Sequence, residues 1–501
     1  MPMTPPRRGA RSRCTALLAG IVGLALLAPV GTADAAGYAS DREKPSLTGL
    51  LVGFRDLWRP SGTLRGTVRN SGQLAWNDRM VSWINQNATP AQRFRALQDA
   101  EYLAKDRSGY DQSITIADGL GKRLGELYVQ GRLTGRLPLV SRLLNTTDGL
   151  VGDYLTTGSA KKAFSYPRPF LKTAPSAKRT NGDSASCAPS KVNAKSLTKL
   201  RKGKAWADSK GNLRITRVPG TVDRTRTYAT SDVRLDAGYG STSLCLSGSF
   251  PSGHTRAAYA VGLTLATLLP ELGPSILART SEAANNRIVL GVHYPLDVIG
   301  GRMGGQAAVA ARWSDKSFRD QVLAPARAEL VAYLEAGCGR ALAACIAADA
   351  PYANNPYGGA KPSRGTAQIV IDRGSAVKVF TERLGYGFSA TQRRGQSASV
   401  PAGAENLLRT AFPSLTSTQR RSVLAQTEID SGHALDTTAL HKKGRGPGSW
   451  QRLNLAAALS ATVRLRGNGS VTVTSIGGSP TVLPALIPES QRAWPGSSPH
   501  H

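Results

Sequence analysis

Residues 249–269 read SFPSGHTRAAYAVGLTLATLL, a short polar motif that leads into a long apolar run. The run has the composition of a buried helix, and Ser252 stands directly before it as a favourable N-cap residue. The backbone N–H groups of Ser252 and Gly253 would then point at an anion at the helix N-terminus. The segment therefore predicts a buried helix that begins at an anion-binding site.

Two further segments supply cationic, imidazole and carboxylate side chains: Lys161 and Arg168 in KKAFSYPRPF (161–170), and Arg287, His293 and Asp297 in NRIVLGVHYPLD (286–297). Lysine and arginine carry fixed positive charge, and the planar fork of arginine matches phosphate oxygens. The two histidines, His254 and His293, can divide the roles of proton donor and nucleophile. Together the three segments predict a site that holds and cleaves a phosphate ester.

The three segments closely resemble the signature of the type 2 phosphatidic acid phosphatase (PAP2) superfamily, which joins class A acid phosphatases, lipid phosphate phosphatases and vanadium haloperoxidases. Its pattern is Lys, six residues, Arg-Pro; then Pro-Ser-Gly-His; then Ser-Arg, five residues, His, three residues, Asp. The spacings in this chain agree over roughly residues 140–310. One position differs, because Asn286 stands where the family usually has a serine that supports the site through a hydrogen bond.

The resemblance implies a double displacement through a phosphohistidine intermediate. In that mechanism His293 is the nucleophile, Asp297 orients it, and His254 acts first as general acid and then as general base. The residues implied to bind the phosphate oxygens are Lys161, Arg168, Ser252, Gly253 and Arg287. The side chains supply the positive charge, so no metal and no cofactor are expected.

Three functions remain as alternatives. The first is an exported acid phosphatase that hydrolyses phosphomonoesters and most resembles the secreted class A-like enzymes. The second is a vanadium-dependent haloperoxidase, in which vanadate would be the cofactor and His293 its ligand. The third is a non-enzymatic basic protein that binds anionic surfaces, and the intact motifs argue against it. The sequence separates the first two poorly and leaves the natural substrate open.

Residues 1–35 have the layout of a signal peptide: arginines, then the apolar stretch 15–30, then small residues at 33–35. We expect cleavage near Ala35 and a secreted protein, either extracellular or periplasmic; an uncleaved membrane anchor is the alternative. No later segment reaches the ~20 uninterrupted apolar residues of a membrane span. The sequence thus favours the exported, soluble branch of the family over its lipid phosphate phosphatases.

The chain is strongly basic, with a formal charge of +31. Cleavage after Ala35 removes four arginines and one aspartate and leaves +28. Residues 171–214 alone hold eleven Lys or Arg and two Asp, and we interpret them as a mobile basic insertion that contributes little to the core. The charge favours a phosphorylated small-molecule substrate and association with anionic wall polymers or lipid surfaces. No motif indicates specific nucleic-acid binding.

Four cysteines remain after signal peptide cleavage, which suits an oxidising compartment. Three pairings are possible, and we favour Cys338 with Cys345 and Cys187 with Cys245. Metal binding is the weaker alternative, because no cysteine has CxxC spacing or a neighbouring histidine.

The fold class expected is mostly α: a helical bundle of the PAP2/haloperoxidase type over residues 36–345, which needs no strand. Residues 346–362 are a linker by composition. Residues 363–485 are expected as a small α+β unit, with a strand in TAQIVIDRG and a hairpin in ATVRLRGNGSVTVTS. Residues 486–501 form a tail. The sequence indicates neither the role of the C-terminal unit nor the oligomeric state.

Overall fold

Three long helices that follow one another in the chain form the centre of the fold in the computed structural model, which describes residues 37–101, 110–438 and 448–485. Within these residues the α-helices of seven residues or more are, in chain order, α1 Ser71–Asn87, α2 Pro90–Gln98, α3 Lys122–Leu133, α4 Pro138–Leu144, α5 Gly158–Phe164, α6 Lys195–Arg201, α7 Gly253–Leu268, α8 Gly273–Val289, α9 Pro295–Ser314, α10 Ala324–Cys338, α11 Leu342–Ala348, α12 Arg373–Gly385 and α13 Ser417–Thr427. The central three are α7, α8 and α9.

Shorter helical turns connect these helices: Ala39–Arg42, Leu47–Leu50, Val52–Asp56, Gln112–Thr115, Ala117–Leu120, Ala185–Cys187, Pro189–Val192, Thr242–Leu246, Pro270–Leu272, Lys316–Phe318, Arg319–Leu323, Ala404–Leu408 and Leu455–Ala458. The strands are β1 Trp58–Gly62, β2 Arg65–Val68, β3 Thr221–Asp223, β4 Val233–Leu235, β5 Thr462–Leu465, β6 Val471–Ser475 and β7 Thr481–Leu483. The pairs β1–β2 and β3–β4 are antiparallel, and β5 pairs antiparallel with β6 and parallel with β7. The fold is therefore mostly α, as predicted.

Helices α7 and α9 pack unusually close together because α9 presents glycines to α7. A Cβ on Gly301 would lie 2.6 Å from the Ser252 carbonyl oxygen, and a Cβ on Gly305 would lie 2.6 Å from the Tyr259 Cβ. Neither distance is sterically possible, so only glycine permits this contact. The close approach places the beginning of α9 directly against the N-terminus of α7.

Local sequence signals correctly predict where several helices begin. The Thr89 hydroxyl caps α2 by accepting from the Gln92 N–H at 3.1 Å, and Ser252 caps α7 by accepting from the Thr255 N–H at 3.2 Å. Ser252 is the N-cap residue expected above, and Thr89, which Pro90 follows, carries an equally local signal for a helix start. Residues 1–36, with the predicted signal peptide, and the tail 486–501 lie outside the described residues.

The expectation that residues 36–345 need no strand is wrong. Strands β1 and β2 form a hairpin whose first residue, Trp58, is fully buried while most of its other residues reach solvent. Strands β3 and β4 form a second short pair within the stretch between the first two motifs. Neither pair has a long alternation of apolar and polar residues, so the period-2 signal of a strand is weak.

The segment 171–214 is also different from the prediction, because it contributes to the core. Leu197 and Val192 are fully buried, and so is Arg201 at the end of α6. Arg201 donates from Nε and Nη2 to the two carboxylate oxygens of Asp78, each at 2.9 Å, and Nη2 also contacts the Tyr294 hydroxyl at 2.9 Å. The charge count treats Arg201 as a solvated side chain, whereas it is one half of a buried ion pair.

Both favoured disulfides are present, Cys187–Cys245 and Cys338–Cys345. The first joins the region that contains the basic segment to the turn Thr242–Leu246, shortly before the Pro-Ser-Gly-His motif. The second joins the end of α10 to α11.

The described residues from Tyr38 onward belong to one compact unit. The hairpin β5–β6 forms as predicted, with Asn468 and Gly469 in its turn. The strand predicted in TAQIVIDRG does not form: Val370 makes an isolated bridge to Asn354, and Ile371 is 67% exposed. Arg383 of α12 donates to the Ser281 hydroxyl of α8 at 2.9 Å, so the region 363–485 packs directly on the central helices. The predicted boundary at 346–362 stays a prediction.

Among the described helices, no single one is both long and apolar enough to cross a membrane. Two consecutive pairs reach that length and composition together, Gly253–Leu268 with Pro270–Val289 and Lys316–Cys338 with Leu342–Ala348, but they bend by 115° and 55° at the junction.

Replacing Arg201 by serine is predicted to lower the free energy of unfolding by about 3–5 kcal/mol, because it leaves the Asp78 carboxylate buried without its cation. The matched control is Lys199→Ser on the same helix, where the side chain is exposed and the change should stay within about 0.5 kcal/mol. Urea denaturation followed by circular dichroism measures both. Equal stability of the two variants would contradict the assignment of Arg201 to the core.

Candidate active site

His293 lies in the short connection between α8 and α9, with a different partner at each ring nitrogen. Nδ1 is 3.0 Å from the Asp297 Oδ2, and Nε2 is 3.0 Å from Nη1 of Arg168. A guanidinium can only donate, so Nε2 must be the acceptor and Nδ1 must carry the hydrogen. The tautomer that follows has its lone pair on Nε2, the nitrogen that faces the cations.

The Asp297 carboxylate is fixed by the first turn of α9 and by the segment before α7. Its Oδ2 accepts from the Tyr294 N–H at 2.9 Å, and its Oδ1 accepts from the Ser249 hydroxyl at 3.5 Å. The Asp297 carbonyl accepts from the Ser252 N–H at 3.0 Å, which ties the second motif to the third. Burial outweighs these hydrogen bonds and the nearby Lys161 charge and raises the pKa of Asp297 to about 7.

Backbone carbonyls hold the first two cations. Arg168 donates from Nε to the Leu244 carbonyl at 2.9 Å and from Nη1 to the Val292 carbonyl at 3.0 Å. Lys161 donates from Nζ to the Gly248 carbonyl at 2.6 Å. Carbonyls carry only partial negative charge, so these contacts orient the cations without neutralising them.

The second motif places three expected site residues at the start of α7. The Ser252 oxygen accepts from the N–H and from the hydroxyl of Thr255, at 3.2 and 2.9 Å, so it serves as the helix cap. Gly253 is the first residue of α7 and is partly exposed. His254 is also partly exposed, and its Nε2 is 3.1 Å from the Ala100 carbonyl oxygen. Since a carbonyl only accepts, this nitrogen carries a hydrogen.

Arg287 is buried in the last turn of α8 and adds a third cation to the same site. Burial, together with Arg168, Lys161 and Arg287, holds the pKa of His293 well below its ordinary value. Burial and Arg287 do the same for His254, against the Ala100 hydrogen bond, which raises it. The structure thus brings the three predicted cations and both histidines within electrostatic reach of one another.

The positive charge also affects the cations themselves. Burial and Arg168 lower the pKa of Lys161 well below its ordinary value, and burial and Arg287 lower the pKa of Arg168 to about 9. Among the residues that the structure describes, three cations face one carboxylate at this site, an arrangement that favours the binding of an anion.

A cleft of about 480 Å³ reaches the site at Lys161. Its lining also includes Ser247 and Gly248, which precede the second motif, and Pro60 and Gly62 of β1. Within the described residues, no group of three or more His, Cys, Asp or Glu side chains is arranged to hold a metal ion.

The sequence motifs do not reveal two parts of the site. The carbonyls of residues 244–249 hold Lys161 and Arg168, but backbone groups leave no signature in residue type. The Ala100 carbonyl, which contacts His254, follows the end of α2 and lies more than 150 residues before His254 in the sequence. Only the fold brings such groups together.

Residues 144–320 match the family model of the PAP2 superfamily. Parts of the chain are similar to two curated proteins. One is an acid phosphatase of Zymomonas mobilis subsp. mobilis, 34% identical over 105 residues, which are 21% of this chain and 40% of that protein. The other is a non-specific acid phosphatase of Providencia stuartii, 37% identical over 79 residues, 16% of this chain and 32% of that protein. The matches span well under half the length of either relative.

Tungstate, a tetrahedral dianion at neutral pH, is predicted to bind with a net uptake of protons. Burial and the neighbouring cations lower the pKa values of both histidines and of Lys161, and a bound dianion offsets the effect of the cations and raises these pKa values. Calorimetry at one pH in two buffers of different ionisation enthalpy measures the uptake. Lys161→Met should weaken both binding and uptake, whereas Lys199→Ser should change neither. Proton release by the wild type would contradict this account of the site.

Proposed function

Because residues 144–320 match the family model of the PAP2 superfamily, we propose that the protein is an exported acid phosphatase that hydrolyses phosphomonoesters through a phosphohistidine intermediate. The two relatives named as acid phosphatases support the reaction class. The substrate is a phosphorylated small molecule, for which the site supplies charge without a metal. Export rests on residues 1–35, which have the layout of a signal peptide.

The observation that carries the proposal is the orientation of His293. Asp297 accepts the hydrogen of Nδ1 and so directs the lone pair of Nε2 towards the cations. Phosphate oxygens are better acceptors for Arg168 than a ring nitrogen, so a bound phosphate takes over the Nη1 hydrogen bond. That exchange releases the Nε2 lone pair for attack on phosphorus.

In the first step, Nε2 of His293 forms a bond to phosphorus while the bond from phosphorus to the ester oxygen breaks. His254 gives a proton to that oxygen, which leaves as an alcohol. Nδ1 keeps its hydrogen, so the phosphorylated ring is positively charged and is balanced by the Asp297 carboxylate. The three cations stabilise the charge on the equatorial phosphate oxygens in the transition state.

In the second step, water attacks the phosphorus and His254, now neutral, takes up a proton from that water. The bond from phosphorus to Nε2 breaks, its electron pair returns to His293, and inorganic phosphate leaves. The low pKa of His254 supports an acidic optimum. His254 must be protonated for the first step, and its protonated fraction falls as the pH rises through that lowered value.

His293→Ala is predicted to lower turnover of p-nitrophenyl phosphate by roughly 10³-fold or more, because it removes the nucleophile. Asp297→Asn should cost on the order of 10²- to 10⁴-fold, since an amide N–H facing Nδ1 moves the hydrogen to Nε2. Steady-state kinetics measures both, with circular dichroism as the check on folding. A folded His293→Ala variant that keeps more than a few per cent of the wild-type rate would refute the assignment.

A further prediction separates the phosphatase from the haloperoxidase alternative. Wild-type protein should hydrolyse p-nitrophenyl phosphate without vanadate, and orthovanadate should inhibit competitively by imitating the trigonal-bipyramidal transition state. EDTA should leave the rate unchanged. Oxidation of bromide by peroxide only after vanadate is added, without phosphatase activity, would favour the haloperoxidase. Loss of activity on chelation, restored by a divalent ion, would indicate a metallophosphatase.

A further inference from the structure

A buried polar network centred on Asp99 lies behind the candidate active site. Asp99 follows the last residue of α2 and is fully buried. Its two carboxylate oxygens accept from Nη1 and Nη2 of Arg279 on α8, at 2.9 and 2.6 Å. The Thr115 hydroxyl donates to it at 2.9 Å, and the Asn286 amide donates to it at 2.7 Å. The four hydrogen bonds fix this carboxylate from two sides.

One arm of the network leads to His254. The residue after Asp99 is Ala100, whose carbonyl accepts the hydrogen of the His254 Nε2 at 3.1 Å. The Asp99 carbonyl accepts from the Gln112 amide at 3.3 Å, which holds the same stretch of backbone. With Nε2 donating to that carbonyl, Nδ1 is the nitrogen that gains and loses the catalytic proton in the proposed reaction.

A second arm leads to Arg287. The preceding residue, Asn286, donates from Nδ2 to Asp99 and accepts at Oδ1 from the Gln92 amide at 2.6 Å. The Asn286 side chain is fully buried and its amide orientation is fixed by these two partners. This is the position at which the chain departs from the serine of the family pattern. A serine is too short to span both Gln92 and Asp99, so the asparagine belongs with the network.

We propose that Asp99 is a positioning residue, which acts on the reaction through His254 and Arg287. It holds the Ala100 carbonyl in place for the first, and it holds the side chain of Asn286, the residue that precedes the second on α8. The proposal rests on the proposed phosphatase function, because it assigns Asp99 to proton transfer and phosphate binding at that same site. A purely structural ion pair between Asp99 and Arg279 would instead support the fold without affecting either chemical role selectively.

The test compares phosphate esters whose leaving groups differ in their need for a proton. Dinitrophenolate leaves readily as an anion, whereas phenolate depends on protonation by the general acid. Asp99→Asn should therefore lower kcat/KM for phenyl phosphate at least about tenfold more than for 2,4-dinitrophenyl phosphate, because general acid catalysis contributes only to the former. Equal losses on the two substrates, or no loss, would overturn the proposal.

Asp118→Asn is the matched control. Asp118 accepts from Nε of the same Arg279 at 2.8 Å. Among the described residues, its side chain makes no hydrogen bond to Ala100 or Asn286. Its replacement weakens a hydrogen bond of the same Arg279, so a general loss of stability would appear in both variants. Only Asp99→Asn should change the dependence on the leaving group. The same selective change in Asp118→Asn would assign the effect to Arg279 and overturn the role of Asp99.

Asn286→Ser tests the second arm. It removes the amide of the residue before Arg287 but leaves Asp99 and the Ala100 carbonyl in place. We expect weaker inhibition by tungstate and a higher KM, with an unchanged ratio of kcat/KM between phenyl and 2,4-dinitrophenyl phosphate. An unchanged affinity for tungstate would remove Arg287 from the proposal.

A measurement on the resting protein separates this proposal from the proposed function. Nitrogen-15 NMR of the ring nitrogens distinguishes the two histidine tautomers, and a His254→Gln variant identifies the relevant signals. The wild type should show His254 as the Nε2–H form, and Asp99→Asn should shift the population towards Nδ1–H. If the wild type cleaves neither ester, the proposed function fails while the NMR result still decides the link from Asp99 to His254. If it cleaves both and the tautomer is unchanged in Asp99→Asn, the link alone fails.

Discussion

The contact between α7 and α9 is the constraint on which the site depends. Glycines at 301 and 305 let the backbones of the two helices approach within a distance that a side chain would prevent. The approach places the first turn of α9 against the cap of α7, so that the Ser252 N–H reaches the Asp297 carbonyl. Two motifs more than thirty residues apart thereby become one rigid surface, and the positions of both histidines are defined relative to it. A helix pair at ordinary spacing would separate the groups that meet at one phosphate in the proposed function.

Much of this site is readable from the sequence because its chemistry is encoded in local spacing. His293 and Asp297 are four residues apart, and a short connection followed by a helical turn brings them together. The helix starts at Thr89 and Ser252 are equally local. The burial of Arg201 and the carbonyls around Lys161 and Arg168 could not be predicted, because these contacts join residues tens to hundreds of positions apart. The sequence did not predict the hairpin β1–β2 either. Its strands contain one fully buried residue, Trp58, and no long alternation of apolar and polar residues.

Buried arginines change the meaning of the chain's basic composition. Arg201, Arg279 and Arg302 are all buried, and the first two are paired with aspartates. Arg302 has a different environment, since it donates to the Gln451 carbonyl at 2.9 Å and so joins α9 to the C-terminal region. Burial lowers the pKa of Arg302 to about 10. Each of the two Arg–Asp pairs adds nothing to the formal charge of +31, so these arginines act as internal connections and are not among the basic side chains exposed to polyanions.

The Cys187–Cys245 disulfide has a consequence for when the site is completed. Cys245 lies in the turn whose Leu244 carbonyl holds Arg168, just before the carbonyls that hold Lys161. The link closes a loop of 58 residues, and a covalent closure of that length favours the folded state by roughly 4 kcal/mol through loss of chain entropy. A newly made chain in a reducing interior has no such closure. In the proposed exported phosphatase, the site would then gain this stabilisation only after the chain has reached an oxidising compartment.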